Sequence, residues 1–576
     1  MDAEIREWVE RKFRVPESRA NKVTTLADAV ERFVRPGDTV QLGVTHVRTS
    51  PAVFEIVRRF YGSEPGFTFA AVSFSTPFSP LVQAGLARKI VTSWAGDSYI
   101  TPGPNAACTR AWDAGVIFEH WSIMTFAQRL DAGARGVGWT STRSLRGSDM
   151  ERNDGVRVME DGTVLIPALT PDVAIFHAPA ADEHGNVLFS PPLFENVHGA
   201  LAARRGAIVT VEKIVDTAYV REHAHRGHLP ATAVAAVVEA PYGAHPGGVR
   251  PAGLDGIRSY GEDYEFWMDM RRQTKDPADF DAWIKEWILE PGSHEAYVEK
   301  LGRDRLARLE ARARSEGWRE DLPVALEGVA LDDPPNAIET AIVGAAREVA
   351  RAIRENGYTH VLAGAGMANL AAWQAAYALA ESGVVVDLVA EMGLAGYWPV
   401  PGEPFIFNHR NFPRCTMLAD IETALGVLIG GARARSIAVL GAAQVDKAGN
   451  INSTLIPGKQ LLMGSGGAND VITAGSESLV VVTHDRARLL DRVPYVTGPG
   501  DRVQTLVTTL GVMRKDDGEF VLTGVFGEDV DATVRECVER TGWKLRVARD
   551  VARLEPPARD EVRMLRVMDP KGWFRS

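Results

Sequence analysis

Apolar residues recur at helical spacing early in the chain, at Leu26, Ala29, Val30, Phe33 and Val34, behind Thr25 and Asp28, which pattern as a helix-capping pair. Arg35-Pro36-Gly37-Asp38 breaks that period, and Thr39-Val40-Gln41-Leu42-Gly43 reads as a strand entering a loop. The same grammar returns in the second half of the chain. Ile338, Ile342, Val349 and Ile353 mark a helix, Asn356-Gly357 ends it, and Thr359-His360-Val361-Leu362-Ala363 is a strand that runs into Gly364-Ala365-Gly366. A sharper echo follows: Asp182-Glu183-His184-Gly185-Asn186 and Asp446-Lys447-Ala448-Gly449-Asn450 are both Asp-x-x-Gly-Asn after an apolar strand. Each copy alone is a tight turn, with Asp or Asn bonding local backbone and Gly at positive φ. Recurrence of the whole series of helix, strand, glycine loop and turn points further, to an internal duplication. Between the copies, residues 262–316 carry charge and tryptophan at helical spacing, and 321–336 are acidic with Pro323, Pro334 and Pro335. The pattern therefore predicts an α/β fold of two tandem, related, open domains. The first spans 1–320 with a helical excursion over about 262–316, the linker spans 321–336, and the second domain spans 337–576.

Composition narrows the class without naming a chemistry. A chain of 576 residues exceeds what one core supports, so at least two domains are expected. With 45% hydrophobic and 24% charged residues it is of ordinary globular composition. No apolar run approaches the ~20 residues of a membrane span, and Met1-Asp2-Ala3-Glu4-Ile5-Arg6-Glu7 lacks the apolar core of a signal peptide, so a cytoplasmic location off the membrane is expected. Three scattered cysteines, Cys108, Cys415 and Cys537, argue against a disulfide framework or a cysteine zinc site. A net charge of −11 argues against a nucleic-acid footprint.

Candidate chemistry concentrates in the second half. The mostly apolar run Val384 to Ala390 ends at Glu391-Met392-Gly393-Leu394-Ala395-Gly396, which puts an acidic residue framed by glycines at a strand end. A glutamate there, with an ordinary pKa of about 4.3, is already an anion at neutral pH and serves as a nucleophile without a base. Further on, Gly464-Ser465-Gly466-Gly467-Ala468-Asn469-Asp470 offers backbone N–H donors at Gly466, Gly467 and Ala468 to a developing oxyanion. The competing readings are a surface glutamate and a plain strand-to-helix turn. His223, His225 and His228 cluster, but the Arg221 and Arg226 around them and the missing carboxylate or cysteine spacing predict no metal site. Gly364-Ala365-Gly366 lacks the third glycine of a dinucleotide fingerprint, with Asn369 in its place, so no nicotinamide cofactor is expected.

Taken in order, these motifs resemble glutaconate-type family I CoA-transferases. Glu391-x-Gly, Gln444-Val445-Asp446-x-x-Gly449-Asn450-x-Asn452 and the Gly464–Asp470 run are similar to the β subunit. Gly37-Asp38-Thr39-Val40 with its following loop, Ser144 to Met150, Ala181 to Asn186 and Gly243-Ala244-His245-Pro246 are similar to the α subunit. The resemblance implies α and β parts fused in one chain, with a site between them. It also implies ping-pong transfer of CoA from an acyl-CoA to a carboxylic acid through Glu391, by way of an acyl-glutamyl anhydride and a glutamyl-CoA thioester. CoA enters as acyl-CoA substrate, no cofactor is bound permanently, and a homo-oligomer is expected. Where many members of that family have Ser-Glu-Asn-Gly, this chain has Ala390-Glu391-Met392-Gly393 followed by Tyr397-Trp398. Met392, Tyr397 and Trp398 are thus expected to wall a pocket unlike one for small dicarboxylates. His409 and Arg410, in Phe407 to Phe412, are read equally as binding an acyl carboxylate or CoA phosphate, or as part of a solvated loop. The alternative on the same fold is hydrolysis, ring-opening or decarboxylation of a CoA thioester, with Glu119 of Glu119-His120-Trp121-Ser122 as the reacting carboxylate.

Overall fold

The structure is a computed structural model that describes residues 2–15, 20–43, 48–97 and 101–576. Loop residues 44–47, which follow the Gly37–Val40 motif, lie outside the described residues. The predicted capping pair closes as expected: Thr25 accepts the Asp28 N–H, and Leu26–Phe33 is helical with Ala29 and Val30 buried. In the second half Asn336 and Glu339 form a capping box, Ala337–Asn356 is helical, and Gly357 ends it at φ +64°.

In the first half Val187–Leu188 and Gly227–Leu229 join, antiparallel, a sheet whose body is seven parallel strands. They are β1 (Thr39–Leu42), β2 (Phe67–Ser73), β3 (Ala87–Trp94), β4 (Ile117–His120), β5 (Val173–Asp182), β6 (Ala207–Val215) and β7 (Val234–Glu239), in the order β7-β6-β5-β1-β2-β3-β4. The second half has β8 (His360–Ala363), β9 (Asp387–Ala390), β10 (Ser436–Leu440), β11 (Glu477–Val482) and β12 (Val503–Thr508), parallel in the order β12-β11-β10-β8-β9. That order repeats β7-β6-β5-β1-β2, and antiparallel strands extend the sheet beyond β12 and β9. β5 is buried along its whole length and β11 along all but its first residue, as strands covered on both faces must be.

The Asp-x-x-Gly-Asn turns agree bond for bond. Asp182 Oδ1 accepts the His184 and Asn186 N–H groups, and Asn186 Nδ2 donates to Oδ2 at 2.7 Å. Asp446 Oδ1 accepts the Ala448 and Asn450 N–H groups, and Asn450 Nδ2 donates to Oδ2 at 3.0 Å. Strand order and turn chemistry together show two related halves.

Residues 262–316 are helical over Tyr264–Gln273, Pro277–Ile284, His294–Leu301 and Arg303–Arg312. Phe266 meets Trp283, Trp287 and Tyr297 edge-on inside this excursion, while Tyr264 and Trp267 join the apolar core of the second half. The chain then forms a short helix, Trp318–Ala325. Arg566, on the terminal helix Arg559–Met568, forks onto Glu339 and donates to the carbonyls of Ala330, Asp333 and Pro334, which fixes the end of the connection to the second half. Among the described residues no helix is long and apolar enough to cross a membrane.

Candidate active site

Glu391 stands at the tip of a tight hairpin at the C-terminal end of β9. Leu394 and Ala395 turn back and pair with Ala390 and Val389, leaving Glu391-Met392-Gly393 as the bend. Gly393 takes φ +114°, and a Cβ there would fall 2.6 Å from the Ala419 carbonyl oxygen, so no larger residue closes this turn. The strand ahead is shorter than its apolar run, because Val384 to Val386 lie outside it and Val385 is exposed. The duplication shows how special this position is. The same seven-residue step leads from Ile175 to Asp182 and from Val439 to Asp446, and Leu42 pairs with Ile175 as Ala363 pairs with Val439. Gln41 pairs with Ala70 as Leu362 pairs with Val389, so two residues on, Val72 of the first half occupies the place of Glu391.

The glycine run lies against Glu391 and is clamped by the first half. Gly466 N–H donates to the Ser93 carbonyl at 3.0 Å, Ile123 N–H to the Gly466 carbonyl at 3.1 Å, and Ala95 N–H to the Met463 carbonyl at 2.6 Å. Of the three N–H groups expected to serve an oxyanion, Gly466 is therefore taken by Ser93. Ala468 closes onto the Ser465 carbonyl at 3.1 Å. Gly467 alone points at the carboxylate, donating to Glu391 Oε2 at 3.1 Å. A Cβ on Gly467 would stand 2.3 Å from that oxygen. Gly467 has an ordinary φ of −85°, so Gly467→Ala is expected to fold while pushing the flexible carboxylate aside. A displacement of that size predicts a loss of about 10²-fold in turnover, read by steady-state kinetics beside an unchanged far-UV spectrum.

Both surfaces border one cavity of about 800 Å³ between the halves. It collects the C-terminal ends of parallel strands, with Val72 and Trp94 from the first half and Leu362, Glu391, Leu440 and Val482 at or next to strand ends of the second. Its charged lining residues are Arg48, Glu391, Asp485 and Arg488, and no described residue lining it is a histidine, cysteine or lysine. The Trp94 ring lies 3.5 Å from where a Gly466 Cβ would stand, and Met392 and Ile123 add apolar wall. Burial raises the Glu391 pKa to about 7, the charge of Asp470 adds to the rise, and the Gly467 N–H opposes it. This corrects the reading of Glu391 as an ordinary carboxylate: its burial makes it hold a proton well above the usual carboxylate range.

Several residues expected at the pocket lie elsewhere. Tyr397 is fully buried and its hydroxyl accepts the Trp373 indole N–H at 2.9 Å, while Trp398 packs edge-on against Tyr377. The hairpin carries both past the cavity into the core of the second half. His409 is buried on Glu262, with Nδ1 2.6 Å from Oε1, and Arg410 pairs with Asp321 and sits 3.6 Å from Glu403. Those two tie the second half to the helical excursion and connection, away from Glu391. Only Met392 of that set lines the cavity.

Glu119, on β4, is outside the cavity as well. It pairs with Lys89 and, at 3.3 Å, with Arg129, and it accepts the Trp121 indole N–H at 2.6 Å. Burial raises its pKa, but Lys89, Arg129 and Trp121 outweigh that and hold it below the usual range. His223 Nδ1 lies 2.9 Å from the Tyr219 carbonyl, and among the described residues no three His, Cys, Asp or Glu group to hold a metal ion. Sequence reasoning did not single out Trp94, Ile123, Arg48, Phe405 or a role for Asp470. The register that equates Val72 with Glu391 is the signal that leads to the first-half wall, because it places the ends of β2 and β9 at equivalent points.

Comparison with known proteins adds an independent line. A family model described as coenzyme A transferase matches residues 23–240 and 418–539, and Glu391 lies between the matched stretches. The A subunit of 3-oxoadipate CoA-transferase from Pseudomonas knackmussii is 32% identical over 280 residues, 46% of this chain and 93% of that subunit. Its B subunit is 28% identical over 156 residues, 23% of this chain and 59% of that subunit. The A subunit of glutaconate CoA-transferase from Acidaminococcus fermentans is 29% identical over 314 residues, 50% of this chain and 94% of that subunit. Among solved structures, the acyl-CoA transferase YdiF of Escherichia coli O157:H7 aligns over 97% of this chain and 99% of its own, with a TM-score of 0.63 at 13% identity, a likeness of fold.

Proposed function

The chain belongs to the coenzyme A transferase family, its two halves matching the A and B subunits of two-subunit relatives, and we propose that it moves CoA from an acyl-CoA to a carboxylic acid by ping-pong chemistry on Glu391. The observation that carries this reading is the placement of Glu391 at a strand-end bend, facing the cavity between the halves with one backbone N–H on its carboxylate. No described histidine or lysine lines the cavity to take a proton from its serine and threonine hydroxyls, which favours the carboxylate as nucleophile.

In the proposed cycle a Glu391 carboxylate oxygen attacks the thioester carbonyl carbon, the C–S bond breaks, and CoA leaves as thiolate from a mixed anhydride. The thiolate then attacks the Glu391 carbonyl carbon and expels the acyl group as a free carboxylate, leaving a glutamyl-CoA thioester. During that second addition the oxyanion forms on Glu391's own carbonyl oxygen, which is where the Gly467 N–H stands. The acceptor carboxylate reverses both steps. No net proton is consumed, but the first step needs Glu391 ionised, so its rate should rise with pH through about 7 and level off above.

Incubation with an acyl-CoA donor and no acceptor should leave CoA covalently on Glu391. Borohydride or hydroxylamine trapping followed by peptide mass spectrometry locates it. Label on Glu119, or none with a donor that turns over, would refute the mechanism.

A further inference from the structure

Asp470 is buried three residues after Gly467, in the first turn of the helix Ala468–Ala474, and the transfer cycle as set out above gives it no task. Its Oδ2 accepts the Met124 N–H at 3.1 Å, at the start of the first-half helix Ile123–Ala134 that Ser122 caps. One short segment thus holds two carboxylates: the Gly467 N–H grips Glu391, and Asp470 docks the segment on the other half. Among the described residues, Asp470 is the charge that acts on Glu391 and raises its pKa. The groups facing Asp470 among the described residues are the hydroxyls of Ser122 and Ser144 and the Met124 N–H, with no cation among them.

We propose that Asp470 is a positioning residue for the transfer, seating the glycine turn on the first half while its negative charge repels that of Glu391, so that Glu391 is relieved when it becomes a neutral anhydride or thioester. This rests on the assignment of Glu391 as nucleophile. The physics is like-charge repulsion between two desolvated carboxylates, which raises the basicity of the nucleophile and favours every state in which Glu391 is uncharged. Burial pushes the Asp470 pKa up to about 6, still low enough to leave it mostly ionised at pH 8, where Glu391 reacts.

Asp470→Asn keeps an acceptor for Met124 and removes the charge. In the full-length protein at pH 8, Glu391→Gln should raise the thermal midpoint in the native background and raise it by a smaller amount, about half to two-thirds as much, in the Asp470→Asn background, with the difference vanishing at pH 5. In the enzyme with Glu391 intact, Asp470→Asn should move the acid limb of CoA-adduct formation about one pH unit lower and reduce the adduct present at equilibrium about tenfold. Asp470→Ser, which also retains a small polar group, repeats both measurements if the asparagine variant folds poorly. Additive midpoints with an unmoved acid limb would overturn the proposal and leave Asp470 a purely structural contact. Absence of adduct on Glu391 in the unaltered protein would instead overturn the nucleophile assignment, and the midpoint cycle still reads the repulsion in that event.

Discussion

Glu391→Gln abolishes CoA exchange, with an expected loss of about 10⁴-fold or more, because the amide keeps the shape and the Gly467 contact but cannot form an anhydride. The same variant should be more stable than the parent at pH 8. The sign follows from the raised pKa. A glutamate near its usual 4.5 in the unfolded chain and near 7 in the fold binds its proton more tightly when folded, so stability falls as pH rises from about 4.5 to 7 and stays low above. Glutamine carries no such penalty. Its advantage should reach a few kcal/mol at most at pH 8 and disappear below about pH 4.5. Thermal melts across pH 4 to 8, beside an isotopic CoA-exchange assay, test both halves of the statement. Residual exchange within tenfold of the parent would move the nucleophile elsewhere, and a variant less stable at every pH would mean that Glu391 is not desolvated.

The features legible in the sequence were the local ones. The Thr25 cap, the Asn356-Gly357 stop, the two Asp-x-x-Gly-Asn turns and the glutamate at the end of an apolar run each depend on residues within a few positions, and the structure forms each of them as read. Tyr397 and Trp398 escaped the pattern because a hairpin, rather than a continuing loop, follows Glu391, and its return strand carries them into the core. His409 and Arg410 were ambiguous for a different reason. Their partners Glu262 and Asp321 lie 147 and 89 residues away, and no local period encodes such a pairing. The raised pKa of Glu391 is a third case, set by burial and by Asp470, which only the docked halves bring into place.

The duplication also explains why one half carries the proposed nucleophile. The strand register that matches Val72 to Glu391 matches His177 and Glu212 to Gly441 and Thr483. Gly441 and Thr483 line the cavity. In the first half that space is filled: His177 lies 2.9 Å from both Thr210 and Glu212, Tyr260 donates to Glu212 at 2.7 Å, and all four side chains are buried. A strand-end opening kept in one copy is closed in the other by a satisfied polar network, and the first half is left to supply wall and clamp.

Separated halves should therefore each be inactive and should regain exchange when combined. The cut belongs at Gly328. It lies at φ +73°, where an added Cβ would meet nothing within 4 Å, after the helix Trp318–Ala325 and before Ala330, the first carbonyl that Arg566 holds to the second half. Residues 329–576 retain Glu391 and the glycine run but lose Trp94, Ile123 and the backbone contacts of Ser93 and Ala95 that fix the run's position. The Leu145 N–H contact to Asn469 and the Met124 contact to Asp470 go with them. With the Gly467 donor no longer held, the nucleophile loses the geometry on which its rate depends, and exchange by that half should fall below detection. Residues 1–328 lack the glutamate altogether. Co-expressed, the two should assemble through the same contacts, because the covalent link adds effective concentration and no chemistry. Titrating one purified half into the other while following CoA exchange measures this, and full activity from residues 329–576 alone would show that the first half has no part in the site.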